Sequence, residues 1–376
     1  MSTLTKQELV KLIQAVFPHL PQDNALAVLV DVPRKSKDDT DEWARRRQLA
    51  LDWTKNLSAA KTELQLNAVA LYAYSSVESN NADLPELCSQ IETVPSTAAD
   101  LENETSFNHL FENTQLFLAP TQFSTTAPMK VAAKKYNFRA ATMPGFSTAM
   151  VPALRIDYAK VNERCLILKD KLDQALAAHV VFDVQGKEYK MSFDLRFRSA
   201  HASSGRFPEP GTAGNLPSGE TYIVPYEGEK DELSQTTGVL PVQFDDEVVL
   251  FGIQENRAVD VLSTGTKSKE QEQYLKREPA YGNMAELGFG FLADFGLKPI
   301  GQVLLDEKLG FHIAFGRSEH FGGDTGPDKF SSPGAVVHID RIYIPDTQPN
   351  VSIKAITLST EDKDIKVMNN GNYVLF

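Results

Sequence analysis

The sequence predicts an α/β N-terminal domain built on a parallel sheet, followed by a mixed, largely antiparallel α+β domain. Three observations lead there. Short apolar runs alternate with amphipathic stretches across roughly the first 145 residues, the succession that builds a parallel sheet flanked by helices. Near residue 156 this alternation gives way to paired strand patterns separated by turn residues. The chain has 376 residues, enough to bury a core in each half. The boundaries that follow are 1–156 and 157–376.

The opening "MSTLTKQELVKLIQAVF" predicts a helix rather than a signal peptide, because charges interrupt its apolar residues. Thr5 and Glu8 form a capping box, and Leu9, Leu12, Ile13 and Val16 fall on one face. "ALAVLVDV" (25–32) is an apolar run suited to a strand buried on both faces. "DEWARRRQLALDWTKNL" (41–57) places Trp43, Ala50, Trp53 and Leu57 on one helical face. "LNAVALYAY" (66–74) and "QLFLAP" (115–120) read as strands. "TTAPMKVAAKKYN" reads as a helix with Pro128 in its first turn, and "FRAATMPG" as another strand. The acidic, Ser- and Asn-rich stretch between about 75 and 110 reads as a surface excursion or a loop with a short helix.

In the second half, Tyr158, Val161, Cys165, Leu168, Leu172 and Leu176 make a helical core stripe. "HVVFDVQGKEYKMSFDLRF" reads as a hairpin turned at Gln185-Gly186. "KSKEQEQYLKREP" is a polar helical insert among further strands.

Composition excludes several functions. A net charge of -12 disfavours nucleic acid and anionic membrane surfaces as partners. No apolar run approaches the ~20 residues of a membrane span. Two cysteines, Cys88 and Cys165, give neither a disulfide framework nor a C-x-x-C ligand pair. A cytoplasmic protein is expected. Nucleotide chemistry finds no G-x-G-x-x-G or Walker pattern, serine hydrolysis no G-x-S-x-G elbow, and single-zinc proteolysis no H-E-x-x-H.

What remains is a set of acidic and imidazole residues in short, glycine-punctuated segments. "NLPSGETYIVP" carries Glu220, "NMAELGFGF" Glu286 and "GFHIAFG" His312. "VVHID" carries His338 and Asp340, which project from one side of a strand because successive side chains alternate. Singly, each has an ordinary reading as a turn, cap or satisfied core group. Together they differ, because Glu286 and His312 lie in strongly apolar contexts where an unpaired charge is costly. Three carboxylates and two imidazoles are a ligand set suited to divalent first-row ions.

These segments, in this order, resemble the motifs of the metallopeptidase family that contains aminopeptidases T and S. "TQFSTTAPMKVAAKKYNFRAATMPGFSTAM", "RIDYAKVNERCLILKDKL" and the "GKEYKMSFDLRFR" hairpin extend the likeness over roughly 115–345. The resemblance implies two divalent ions, zinc or cobalt, held by Glu220, Glu286, His312, His338 and Asp340. It also implies a homodimer and a peptide or small-molecule substrate, with release of N-terminal residues by metal-activated water.

One departure from the family stands out. Seven residues after His312 the family has a tyrosine; this chain has Glu319, followed by His320. Glu319 could act as general base or extra ligand, and His320 as a hydrogen-bond donor, or both could be solvated loop residues. The departure keeps open a related branch, resembling 2,5-dihydroxypyridine dioxygenase, in which one Fe(II) is held by His312, His338 and Asp340. A non-catalytic metal-binding homologue is the third possibility.

Overall fold

The computed structural model describes residues 3–376, and the chain divides into two compact units. The first comprises residues 1–161 and 205–218, the second 162–204 and 219–376. Among the described residues, no helix is long and apolar enough to cross a membrane.

In the first unit the helix Lys6–Val16 starts at the predicted capping box, with Thr5 Oγ1 accepting from the Glu8 amide and Glu8 Oε2 accepting from the Thr5 amide. Its Leu9, Leu12, Ile13 and Val16 are buried. The strand Ala25–Val32 is buried along nearly its whole length, as a central parallel strand must be. It pairs in parallel with Ala68–Ser75 on one side and Leu116–Ala119 on the other; Arg139–Thr142 extends the parallel run. Helix Asp41–Ser58 buries Trp43, Ala50, Trp53 and Leu57, the face that the periodicity predicts.

Two features of this sheet differ from the expectation. The stretch 75–110 contains two antiparallel strands, Leu87–Ile91 and Glu104–Ser106, before the short helix Phe107–Asn113. Neither shows the alternation that marks a strand: L-C-S-Q-I has Ser89 and Gln90 side by side, and E-T-S is polar throughout. The opposite edge is supplied by Thr212–Asn215, which pairs in parallel with Arg139–Thr142 although seventy residues separate them in the chain. The result is a seven-stranded mixed sheet.

The second unit stacks an eight-stranded antiparallel sheet on a five-stranded one. The larger sheet contains the predicted hairpin, Ala177–Val184 and Lys187–Asp194, with Gln185 (φ 52°) and Gly186 (φ 88°) both left-handed, as a two-residue primed turn demands. The smaller sheet runs His338–Ile342, Phe311–Gly316, Met284–Gly290, Glu220–Ile223 and His201–Ser203, all antiparallel. Ile223, Leu287, Phe289, Phe311, Ile313 and Phe315 lie on its inner face, in one core with Phe182 and Phe251 of the larger sheet. Phe251 packs on Phe315 at 5.3 Å between ring centroids. The other face of the five-stranded sheet is where the charged residues collect.

Candidate metal centre

Strand alternation assigns the faces. If Leu287, Ile313 and Ile339 point into the core, then Glu286, His312, His338 and Asp340 must point away from it. Register carries the pattern across strands: Ala314 lies opposite both Glu286 and Asp340, and Gly316 opposite His338. Gly288 lies opposite both His312 and Tyr222. The functional face therefore alternates large polar side chains with glycine or alanine, which leaves room above the sheet.

Gly288 shows how tight that room is. A Cβ at this position would stand 1.9 Å from His312 Nε2, so only glycine admits the imidazole as placed.

All five predicted ligands converge. Glu286 divides its carboxylate between the two histidines, with Oε1 3.4 Å from His312 Nε2 and Oε2 3.3 Å from His338 Nε2. Glu220 Oε2 lies 3.6 Å from His312 Nε2, and Asp340 Oδ1 3.5 Å from His338 Nε2. Two overlapping groups result, Glu220–Glu286–His312 and Glu286–His338–Asp340, each compact enough to hold a metal ion. Glu286 belongs to both.

The surroundings fit such a role. His312 Nδ1 donates to the Gly310 carbonyl at 3.1 Å, and His338 Nδ1 donates to the Arg317 carbonyl at 2.8 Å. Each anchor fixes the tautomer that leaves the Nε2 lone pair facing the carboxylates, the arrangement of metal-binding histidines. Glu220 Oε2 is buried with no hydrogen-bond partner among the described residues, an orphaned acceptor aimed at the cluster.

The electrostatics are those of a cation site. Burial disfavours the His312 imidazolium, yet Glu286, Glu220 and Asp340 more than compensate and hold its pKa up at about 9. Burial likewise opposes charge on Glu286, but hydrogen bonding to His312 and His338 holds its carboxyl far below the usual range. The carboxylates favour positive charge strongly enough to hold protons on the two imidazoles.

A resident cation is already built in. Lys308 is almost wholly buried; its Nζ donates to Glu220 Oε1 at 2.5 Å and to Glu307 Oε1. Burial pushes Glu307 up to about 7 against the pull of Lys308. Sequence reasoning missed this pair, because "DEKLG" reads as a solvated charge run. The signal was its position immediately before the strand pattern "FHIAFG", apolar apart from His312.

Glu319 and His320 stand apart from the convergence. Both Glu319 oxygens accept from Arg317, at 2.6 and 2.5 Å, so this carboxylate is neutralised by its own loop. His320 sits nearer, with ring centroids 5.4 Å from His338, and burial with the adjacent His338 pulls its pKa down to about 4. The loop is fixed from below by Glu227, which accepts from Ser318 Oγ at 2.5 Å and from the amides of Asp324 and Thr325.

No protein-family profile and no curated protein sequence matches the chain. Solved structures do. The structure of 2,5-dihydroxypyridine dioxygenase from Pseudomonas putida is similar at a TM-score of 0.58 and 16% identity, over 99% of this chain and 98% of that one. Wild-type AmpT (aminopeptidase T) from Thermus thermophilus is similar at 0.54 and 14%, over 98% and 99%. The chain thus has an aminopeptidase T-like fold, an α/β unit with a mixed sheet followed by antiparallel sheets.

Proposed function

We propose that the protein is a metal-dependent aminopeptidase, with Glu220, Glu286, His312, His338 and Asp340 holding two divalent ions, zinc or cobalt. The observation that carries this reading is the shared Glu286, one oxygen turned to each imidazole. A carboxylate so placed would have one donor oxygen to offer on each side of the cluster. When bound, such a pair supplies Lewis acidity and a bound water acidified toward hydroxide.

The chain's own residues do the rest. The Gly310 and Arg317 carbonyls hold the two imidazoles in the ligating tautomer. Lys308 offsets part of the carboxylate charge and, by engaging Glu220 Oε1, leaves Oε2 as that residue's free donor atom. Small residues at 314 and 316 add little bulk to the face that would receive a peptide terminus, while Gly288 makes room for the His312 ring.

The test is metal content measured on purified protein together with turnover of leucine p-nitroanilide. About two ions per chain, and amino-acid release abolished by chelator and restored by zinc or cobalt, is the expected result. Undiminished release from metal-free protein would overturn the proposal.

A second reading is favoured by one observation, the Lys308 ammonium on Glu220. If that cation replaces one metal, His312, His338 and Asp340 remain as a facial triad for a single Fe(II), the ligand type of ring-cleaving oxygenases. One iron per chain, with oxygen uptake on 2,5-dihydroxypyridine, would decide for it.

A further inference from the structure

Tyr222 is the one aromatic residue that the functional face carries on the Glu220 strand. It lies two residues beyond Glu220, so both side chains leave the same side of the sheet. Across the strands its row reads His201, Tyr222, Gly288, His312. Only a glycine therefore separates Tyr222 from the ligand histidine, a gap of two strand spacings or about 10 Å between backbones. The missing side chain at 288 lets the His312 imidazole lie over that position, on the Tyr222 side of its own strand.

The ring is held from two sides. His201 stacks on it at 5.1 Å between centroids, and Phe321 meets it edge-on at 5.0 Å. Phe321 in turn packs against the ring of His338 at 5.3 Å. The tyrosine is thus linked through Phe321 to the ring of His338.

The Tyr222 hydroxyl has no hydrogen-bond partner among the described residues. Elsewhere in the same unit Tyr226, Tyr281, Tyr343 and Tyr373 donate to Glu232 O, Gln271 Oε1, Pro241 O and Gly290 O. Tyr222 is half-buried and its hydroxyl is not among the buried, unpartnered polar atoms, so the donor faces open space where a substrate atom can reach it. The loop carboxylate of Glu319 offers no competing donor, because it only accepts and is engaged by Arg317.

We propose that Tyr222 is a catalytic residue whose phenolic O–H donates a hydrogen bond to the substrate oxygen that gathers negative charge beside Glu286 and His312. This rests on the aminopeptidase reading for the identity of that oxygen, the carbonyl oxygen of the N-terminal residue. No proton need leave the phenol; the bond strengthens as charge develops and needs no reorganisation of solvent.

The experiment compares zinc-loaded wild-type protein with Tyr222→Phe, which keeps the ring and its packing. Metal content and melting temperature are expected to match. Turnover of leucine p-nitroanilide is expected to fall about 10²- to 10³-fold in kcat, the loss typical of a deleted oxyanion donor, with KM little changed. Binding of acetohydroxamate, a small chelating oxyanion, is expected to weaken about tenfold by calorimetry, as for one lost hydrogen bond to a charged group. A variant with wild-type kcat and wild-type hydroxamate affinity would overturn the proposal. Should neither protein release amino acids, the peptidase reading fails and hydroxamate binding alone judges Tyr222. Weaker binding by the variant then sustains the donor role, while equal binding, or none by either protein, overturns it.

Discussion

Replacing Gly288 by alanine perturbs the centre without replacing any proposed ligand. The new methyl carbon would stand 1.9 Å from His312 Nε2. Ordinary contact needs roughly 3.5 Å, so the imidazole must retreat by about 1.5 Å. Metal–ligand distances tolerate only about 0.2 Å of error, so that retreat removes His312 from any shared ion. The His312 strand is buried on every residue, so the ring has little room and overpacking should cost about 1–3 kcal/mol. The backbone at 288 is extended, so a side chain there is not in itself strained. Calorimetric zinc titration of metal-stripped protein, paired with a thermal melt, reads both quantities. Affinity should fall at least 10- to 100-fold, as when a ligand's positioning is lost. Wild-type zinc affinity in Gly288→Ala would refute the geometry on which the site is built.

Other consequences follow from particular residues. Lys308→Met leaves the buried Glu220 and the half-buried Glu307 without their shared cation, and should lower the stability of metal-free protein by about 3–5 kcal/mol in urea unfolding. Asp194 is pulled below its ordinary pKa, burial being outweighed by the Arg196 guanidinium and by the amides of Gln235 and Arg196. Its contribution is therefore present above the unfolded carboxyl's pKa and is lost as pH falls through the lower folded value. Asp194→Asn should cost about 1–3 kcal/mol at pH 7, and the gap to wild type should close on acidification below the unfolded value, by denaturant melts across pH. Burial, seconded by Glu104, pushes the Cys88 thiol up to about 12, and burial also raises Cys165. Neither thiol should react with a disulfide reagent at pH 8 in native protein, and both should react once denaturant is added.

The five converging residues were legible because each combined an ionisable group with an apolar strand context, a combination that demands an explanation. In "VVHID" the alternation alone put His338 and Asp340 on one side, and the structure brings them to 3.5 Å. The parallel core of the first unit was legible for the same reason, since long apolar runs such as 25–32 have few other uses. Through-space pairings were not. Lys308 looks like a surface residue until the fold buries it against Glu220, 88 positions away in the chain. Glu319, which the sequence leaves open as general base, extra ligand or solvated loop residue, gives both oxygens to Arg317. The strand Thr212–Asn215 could not be assigned to the first sheet, because "TAGN" has no apolar pattern and gains its place from register with Arg139–Thr142. Gly288 carries no side-chain signal at all; its meaning lies in what stands opposite.

Anomalous diffraction from zinc-grown crystals, recorded at the zinc edge, weighs the shared-carboxylate account most directly. The account predicts two peaks flanking the Glu286 carboxylate in wild-type protein, and neither peak in Glu286→Ala. Zinc bound elsewhere in the wild type, or both peaks surviving in the variant, would contradict it.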